Sequence, residues 1–289
     1  MGTAGKRDGE SAPSHAGRTA PGGHVQASAR APDKGAASAA EGVDAAQARH
    51  CLAPGGSLRA AINRANPVLF KADAVTGAPG GVAVDLAREL AHRLGLALEL
   101  VVLPSAKECV RAVQEGGAGI GFFAIDPLRG DALHFTPPYV LMEGVYVVRA
   151  DSPIQANEQV DQPGHRVAVG AGSAYALHLA RELRHARVVE APASDQAVEV
   201  FLRDGLGVAA GVRQQMRADV DRRPGLRMLD GRFMAIYQSM ATAKGRGEAA
   251  AAYLDAYIED VKREGFVAGA LARHGVQGAA VAPAGYPRD

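Results

Sequence analysis

The sequence predicts an α/β fold in two lobes, each a mostly parallel sheet flanked by helices. Short apolar runs alternate with segments of helical periodicity, which is typical of parallel strands joined by helical crossovers. This alternation occurs twice, over residues 58–125 and over residues 165–212. Between the two stretches, the apolar run Leu141–Val148 leads into the linker-like segment Arg149–Pro153. One chain of 289 residues is long enough for two such lobes.

The first stretch predicts three strands and two helices. The strands are Leu58–Ile62, Leu96–Val102 and Ile120–Ile125. The helices are Leu86–Leu94, which Gly95 ends, and Ser105–Gln114, which Ser105 caps. The second stretch predicts the strands His165–Val169, Val188–Val189 and Gly207–Val212, with helices over Ala174–Leu183 and from Ser194 or Asp195 to Leu202. Helices from Arg246 and from Glu264 to His274 follow, before a loose tail from about Gly278.

An arginine follows the third strand, where a turn ends it. Asp126-Pro127 breaks the strand because proline disfavours helical backbone in the residue before it, and Arg129 lies two residues further on. Ligands of open α/β sheets bind beyond the carboxyl ends of the strands. A guanidinium there offers two parallel donors to a carboxylate. Spacing alone leaves a solvated surface arginine as the alternative.

The motif Gly170-x-Gly172-Ser173 lies between a predicted strand and a predicted helix. A dinucleotide-binding fingerprint requires a third glycine, and Tyr175 occupies that position. The motif therefore predicts a helix N-terminus with free N–H groups, which favours an anion. An ordinary N-cap at Ser173 is the alternative.

Composition excludes several functions. Charge is nearly balanced, with 32 basic and 31 acidic residues, which argues against a nucleic-acid partner. Cys51 and Cys109 show no metal-ligand spacing and are predicted to be unrelated thiols. No nucleophile–base or zinc-binding motif is present, and no cofactor is predicted.

Residues 1–50 are predicted to form a disordered tail, because Gly, Ala, Ser, Pro and charged residues dominate them. They contain no apolar run of the kind that a secretory signal needs. Both an exported protein with a different start and a cytoplasmic protein are consistent with this tail.

Two blocks resemble the family 3 extracellular solute-binding proteins, the polar amino-acid receptors of ABC importers. The first block is GGVAVDLARELAHRLG at residues 80–95, and the second is Arg129 with the Phe-Thr-Pro-Pro-Tyr block at 135–139. The resemblance covers about residues 57–280. It implies a two-lobed type II periplasmic-binding-protein-like fold joined by two crossover strands. Lobe 1 would comprise residues 51–145 and 240–289, and lobe 2 residues 146–239.

The resemblance also implies the ligand-binding residues. Arg129 would hold the ligand carboxylate from lobe 1, next to Ala124 and Asp126. Ser173 and the backbone of Ala174 would close on the same group from lobe 2. Asn66 matches a pocket-wall position.

This chain departs from the family where an aspartate pairs with the ligand ammonium. The predicted strand Val208–Val212 ends without an acid, and Arg213 follows it. Asp126 or Glu143 could replace the aspartate. Alternatively, the ligand is another small carboxylate, and Arg213 would suit a second anionic group.

The resulting functional hypothesis is a monomeric substrate-binding protein, not an enzyme. It would bind a small polar carboxylate, an amino acid in first place, for the membrane subunit of an ABC-type importer. The resemblance implies a periplasmic location. The alternatives are a cytoplasmic ligand-sensing module of the same fold, or a dehydratase-like enzyme with Glu143 or Glu190 as a buried general acid.

Overall fold

A computed structural model of the chain describes residues 1–2 and 44–286. The helices in order are α1 (Ala45–Leu52), α2 (Val82–Arg93), α3 (Ala106–Gln114), α4 (Pro127–Gly130), α5 (Ala174–Glu182), α6 (Ala197–Arg203), α7 (Arg213–Arg222), α8 (Glu248–Arg263) and α9 (Phe266–Arg273). The strands are β1 (Ser57–Asn63), β2 (Lys71–Ala72), β3 (Pro79–Gly80), β4 (Ala97–Leu103), β5 (Ile120–Ala124), β6 (Leu133–Phe135), β7 (Val140–Arg149), β8 (Arg166–Gly170), β9 (Arg187–Ala191), β10 (Val208–Val212), β11 (Leu226–Met228), β12 (Met234–Ala243) and β13 (Ala280–Val281).

One mixed sheet connects two parallel strand groups. The first group is β4-β1-β5 and the second is β10-β8-β9, and each is parallel throughout. The long antiparallel strands β7 and β12 lie between them in the strand order. β12 also pairs with β5, and β7 also pairs with β10, so these two strands join the groups.

Apolar periodicity and side-chain caps account for several of the helices. The α2 residues Leu86 and Leu90 are fully buried, one turn apart, and the Tyr257 hydroxyl of α8 donates to the Leu86 carbonyl at 2.7 Å. Ser105 and Ser173 begin α3 and α5 because each side chain accepts a backbone N–H of the first turn. The predicted N-cap of α3 at Ser105 is confirmed.

The structure also contains elements that the sequence did not predict, among them α1, β6, β13 and α7. Helix α1 occupies the end of the predicted tail; the rest of that tail, residues 3–43, lies outside the described residues. Asp44 caps α1, which packs against α8. Strand β6 was not predicted, because three residues carry too little pattern. Strand β13 pairs with β7 within the predicted loose tail. Helix α7 was missed because its sequence, RQQMRADVDR, has almost no apolar stripe.

Within the described residues, no helix combines the length and apolarity that a membrane span requires. Both cysteines are free thiols. Burial raises the pKa of Cys109 to about 12, with a smaller contribution from Glu108.

Asp161 ties two loops of the second strand group together. Its carboxylate accepts the backbone N–H groups of Ala186 at 2.8 Å, Arg184 at 2.9 Å and His185 at 2.7 Å. These bonds lower the pKa of Asp161 from 3.8 to about 2. The ionised form is therefore preferred in the folded state, so its stabilisation is present above about pH 4 and is lost as the pH falls toward 2.

We expect Asp161→Asn to lower the melting temperature at pH 7 by a few degrees, because an amide oxygen replaces only half of the acceptor set. The difference between variant and original protein should shrink between pH 4 and pH 2. Thermal melting across this range measures it. A difference that is constant with pH would contradict the assigned role of the carboxylate.

Candidate functional site

A cavity lies at the carboxyl ends of strands from both parallel groups, where ligands of α/β sheets bind. Its enclosed volume is about 50 Å³, and about 510 Å³ when the space of its open mouth is included. The polar lining residues are Asn63, Asn66, Arg129, Ser173, Tyr175, Ser194, Gln215 and Gln238. The other lining residues are apolar: Ala65, Pro67, Ala106, Phe122, Phe123, Ala124, Met142, Ala174, Val212 and Ile236.

Arg129 is the only cation in this lining among the described residues. It lies on α4, the single turn that Asp126 caps by accepting the Leu128 N–H at 2.9 Å. Its side chain is directed into the protein, and the residue is only 6% exposed. The guanidinium donates to the carbonyl of Ala124 at 3.1 Å and to the carbonyl of Gly172.

The Arg129 guanidinium is thus held by neutral acceptors. Burial lowers its pKa to about 10, and the nearby Asp126 charge opposes this shift. It remains protonated at pH 7. Asp126 itself forms an ion pair with Arg181 at 3.0 Å. In the described part of the chain no carboxylate is within ion-pair distance of Arg129, so a buried positive charge is available to an anion.

The second strand group contributes Ser173 and the residues around it. The Ser173 hydroxyl oxygen accepts the Ala176 N–H at 3.1 Å as the N-cap of α5, and the residue is 3% exposed. The oxygen is the acceptor in this bond, and the hydroxyl proton can donate to the neighbouring Tyr175 oxygen or to a ligand. Gly172, which precedes it, contacts Arg129 through its carbonyl. The loop after β8 therefore meets the arginine of the first group at the cavity.

Amide side chains supply most of the remaining polar lining. The Oδ1 atoms of Asn63 and Asn66 accept backbone N–H groups of residues 65, 68 and 69, which leaves their Nδ2 atoms as donors. Gln215 on α7 donates through Nε2 to the Ser194 carbonyl at 3.0 Å, and its buried Oε1 has no partner in the described structure. Gln238 on β12 is 3% exposed and lines the cavity.

The seven residues predicted as ligand-binding divide into two sets. Five of them line the cavity: Asn66, Ala124, Arg129, Ser173 and Ala174. Asp126 and Arg213 do not line it. Arg213 donates to Glu143 at 2.6 Å and to the carbonyl of Gly231. Ligand contact remains a prediction for all seven residues.

Sequence reasoning did not identify Asn63, Ser194, Gln215 or Gln238 as cavity residues. Asn63 and Ser194 lie at or just beyond strand ends, Gln215 lies in the first turn of α7, and Gln238 lies in the middle of β12. Nothing in the local pattern distinguishes them. The described residues contain no group of three or more histidine, cysteine or acidic side chains that could hold a metal ion.

A sequence profile of the bacterial extracellular solute-binding proteins, family 3, matches residues 58–276. A curated protein from Alkalilimnicola ehrlichii, membrane-bound lytic murein transglycosylase F 1, is 34% identical over 107 residues. That match covers 36% of this chain and 21% of the relative, so the chain corresponds to about a fifth of that protein.

Two solved structures show the same architecture. A mutant of ArgBP from T. maritima aligns with a TM-score of 0.68 and 21% identity, over 80% of this chain and all of that one. The amino acid ABC transporter substrate-binding protein AbpA from Streptococcus pneumoniae, bound to L-arginine, aligns with a TM-score of 0.67 and 20% identity, over 78% of this chain and 97% of that one. These similarities confirm the predicted type II periplasmic-binding fold.

Proposed function

The chain belongs to the bacterial extracellular solute-binding proteins, family 3, and from this premise we propose that it reversibly binds a small polar carboxylate in the cavity between its two strand groups. The two groups correspond to the two predicted lobes, 51–145 with 240–289, and 146–239. Binding would draw the groups together, because Arg129 from one and the Gly172–Ser173 loop from the other converge on one ligand group.

The observation that carries this proposal is the buried guanidinium of Arg129. A buried cation held only by carbonyls is costly, and a ligand carboxylate would supply both the counter-charge and two further hydrogen-bond acceptors. The surrounding donors, the Nδ2 atoms of Asn63 and Asn66, suit a ligand that is rich in oxygen. AbpA is described as bound to L-arginine, whose α-carboxylate is the part that this charge would accept.

The family and the named relative also support a transport role. We assign the chain the role of substrate-binding component of an ABC-type importer, acting outside the cytoplasm as a monomer. Co-purification of the detergent-solubilised membrane subunit with the ligand-loaded protein tests the partner.

Thermal melting against a panel of amino acids, hydroxy acids, oxo acids and dicarboxylates tests the binding proposal. A ligand present at about one hundred times its dissociation constant stabilises the folded state by about 2.7 kcal/mol. For a chain of this size we expect the melting temperature to rise by roughly 3–8 °C. No shift with any carboxylate at millimolar concentration would refute the proposal.

An enzyme of the same fold is the other candidate, and the described lining does not favour it. No histidine, cysteine or carboxylate is among the described residues of the cavity wall. Glu190 is exposed. Burial tends to raise the pKa of Glu143, but its bonds to Arg213 and Arg232 outweigh this, and the pKa is lowered. Glu143 is therefore ionised at pH 7, and Glu190 lacks the burial that the proposed general acid requires. Consumption of a bound ligand over time would establish catalysis.

A further inference from the structure

We infer that the ligand of this cavity is a small carboxylate without an ammonium group, of the 2-hydroxy or 2-oxo acid class. The inference rests on the proposed carboxylate function and narrows it. It comes from the charges and hydrogen-bonding groups of the described cavity wall.

Charge balance is the first argument. Arg129 contributes one positive charge to the wall, and the described lining contributes no negative one. A ligand with one carboxylate and no cation makes the filled cavity neutral. A zwitterionic amino acid would leave one net positive charge in a buried site. An uncompensated buried charge costs several kcal/mol, so the wall disfavours the ammonium.

The two acids that could replace the family aspartate do not change this balance, because each is already paired. Asp195, which follows the lining residue Ser194, does not line the cavity and is exposed. Asp126 is 3% exposed and forms its ion pair with Arg181. Glu143 accepts from both Arg213 at 2.6 Å and Arg232 at 3.1 Å. Releasing either carboxylate for a ligand ammonium would leave at least one arginine without its partner.

The end of β10, where an aspartate of the family pairs with the ligand ammonium, also carries no acid in this chain. Strand β10 ends at Val212, which lines the cavity as an apolar residue. Arg213 follows it, and its side chain binds Glu143 and the Gly231 carbonyl. The end of this strand therefore presents no negative group to the cavity.

Neutral groups of the cavity wall are available to hydrogen-bond the substituent on C2 of the ligand, the carbon that carries the ammonium in an amino acid. The Gln215 Oε1 atom is buried without a described partner, and Gln215 is 7% exposed. An acceptor in that state favours a ligand hydroxyl, which donates a hydrogen bond without adding charge. The free Nδ2 donors of Asn63 and Asn66 would serve the oxygen of a hydroxyl or oxo group.

Matched ligand sets test the inference, because their members differ only at C2. Isothermal titration would compare alanine, lactate and pyruvate, then leucine with its hydroxy and oxo analogues, because each of these ligands carries a single carboxylate. In the set that binds tightest, we expect the hydroxy or oxo acid to bind at least tenfold tighter than the amino acid. An amino acid that binds equally well or better overturns this inference but keeps the carboxylate site. Failure of every member to bind overturns both.

Gln238→Glu provides a second test in the same sets. It places a carboxylate of the same shape in the cavity wall, and Gln238 has no described side-chain bond to lose. We expect the preference to shift by at least tenfold toward the amino acid. Gln162→Glu, an exposed position, is the matched control and should leave the preference unchanged. An unchanged preference in a folded Gln238→Glu protein would contradict the charge-balance argument.

Discussion

Replacing Arg129 with alanine is expected to weaken carboxylate binding by about 2–5 kcal/mol, which is roughly 30-fold or more. The guanidinium is 6% exposed and is the only cation in the described lining. Without it, a bound carboxylate would be buried with no counter-charge. Isothermal titration with the tightest carboxylate from the melting panel measures the loss.

One further variant separates the charge of Arg129 from its shape, and a second serves as its control. Arg129→Lys keeps the positive charge but loses the two-pronged donor, so we expect an intermediate affinity. Arg88→Ala removes a half-exposed arginine of α2 and is the control. Binding by the Arg129→Ala protein within threefold of the original would exclude Arg129 as the carboxylate anchor.

The stability of the ligand-free protein is an independent test of the Arg129→Ala variant. Arg129→Ala removes a buried cation whose described bonds go to the carbonyls of Ala124 and Gly172. The loss of these bonds and the relief of a buried charge oppose each other. We therefore expect the free energy of unfolding without ligand, measured by thermal melting, to change far less than the free energy of binding.

The order of elements in this fold could be predicted because it depends on local patterns. Apolar runs indicated β1, β5, β8 and β10, and helical spacing indicated α2 and α8. Arg129 was predicted as a site residue because a strand, a turn and an arginine are adjacent in the chain. The same holds for Ser173, whose position between β8 and α5 follows from its immediate neighbours.

The rest of the cavity wall could not be predicted because it forms by long-range convergence. Gln238 lies on β12, whose pairing with both β5 and β7 brings it to the cavity. Gln215 lies on a helix without an apolar stripe, and its bond to Ser194 spans 21 positions. The Asp126–Arg181 pair joins residues 55 apart. None of these contacts has a local sequence signal.

The two glycines before Ser173 illustrate the same difference. From sequence, Gly170 and Gly172 indicated an incomplete dinucleotide motif. In the structure, Gly172 lies where the loop after β8 comes close to α3, and there is no room for a side chain. Its φ is +62°, and a Cβ added there would lie 2.8 Å from the Lys107 Cβ and 3.4 Å from the Lys107 Cα on α3. Only a residue without a side chain fits between this loop and α3.

We therefore expect Gly172→Ala to weaken ligand binding by at least about tenfold. The added methyl group would push the loop away from α3, and with it the Gly172 carbonyl that Arg129 contacts. A ligand that needs both strand groups would then bind a conformation that is less populated, and its apparent affinity falls in proportion. Isothermal titration with the tightest carboxylate of the panel measures the change.

Gly164→Ala is the matched control, since Gly164 has a φ of +85° and no atom within 4 Å of an added Cβ. Both variants strain a left-handed backbone by about 1–2 kcal/mol and should lower the melting temperature, Gly172→Ala at least as much as Gly164→Ala because it adds the clash with Lys107. Only Gly172→Ala should lose affinity. Adding Lys107→Gly removes the opposing methylene and should restore part of that affinity. Equal affinities in the two alanine variants would show that the contact between Gly172 and α3 has no part in binding.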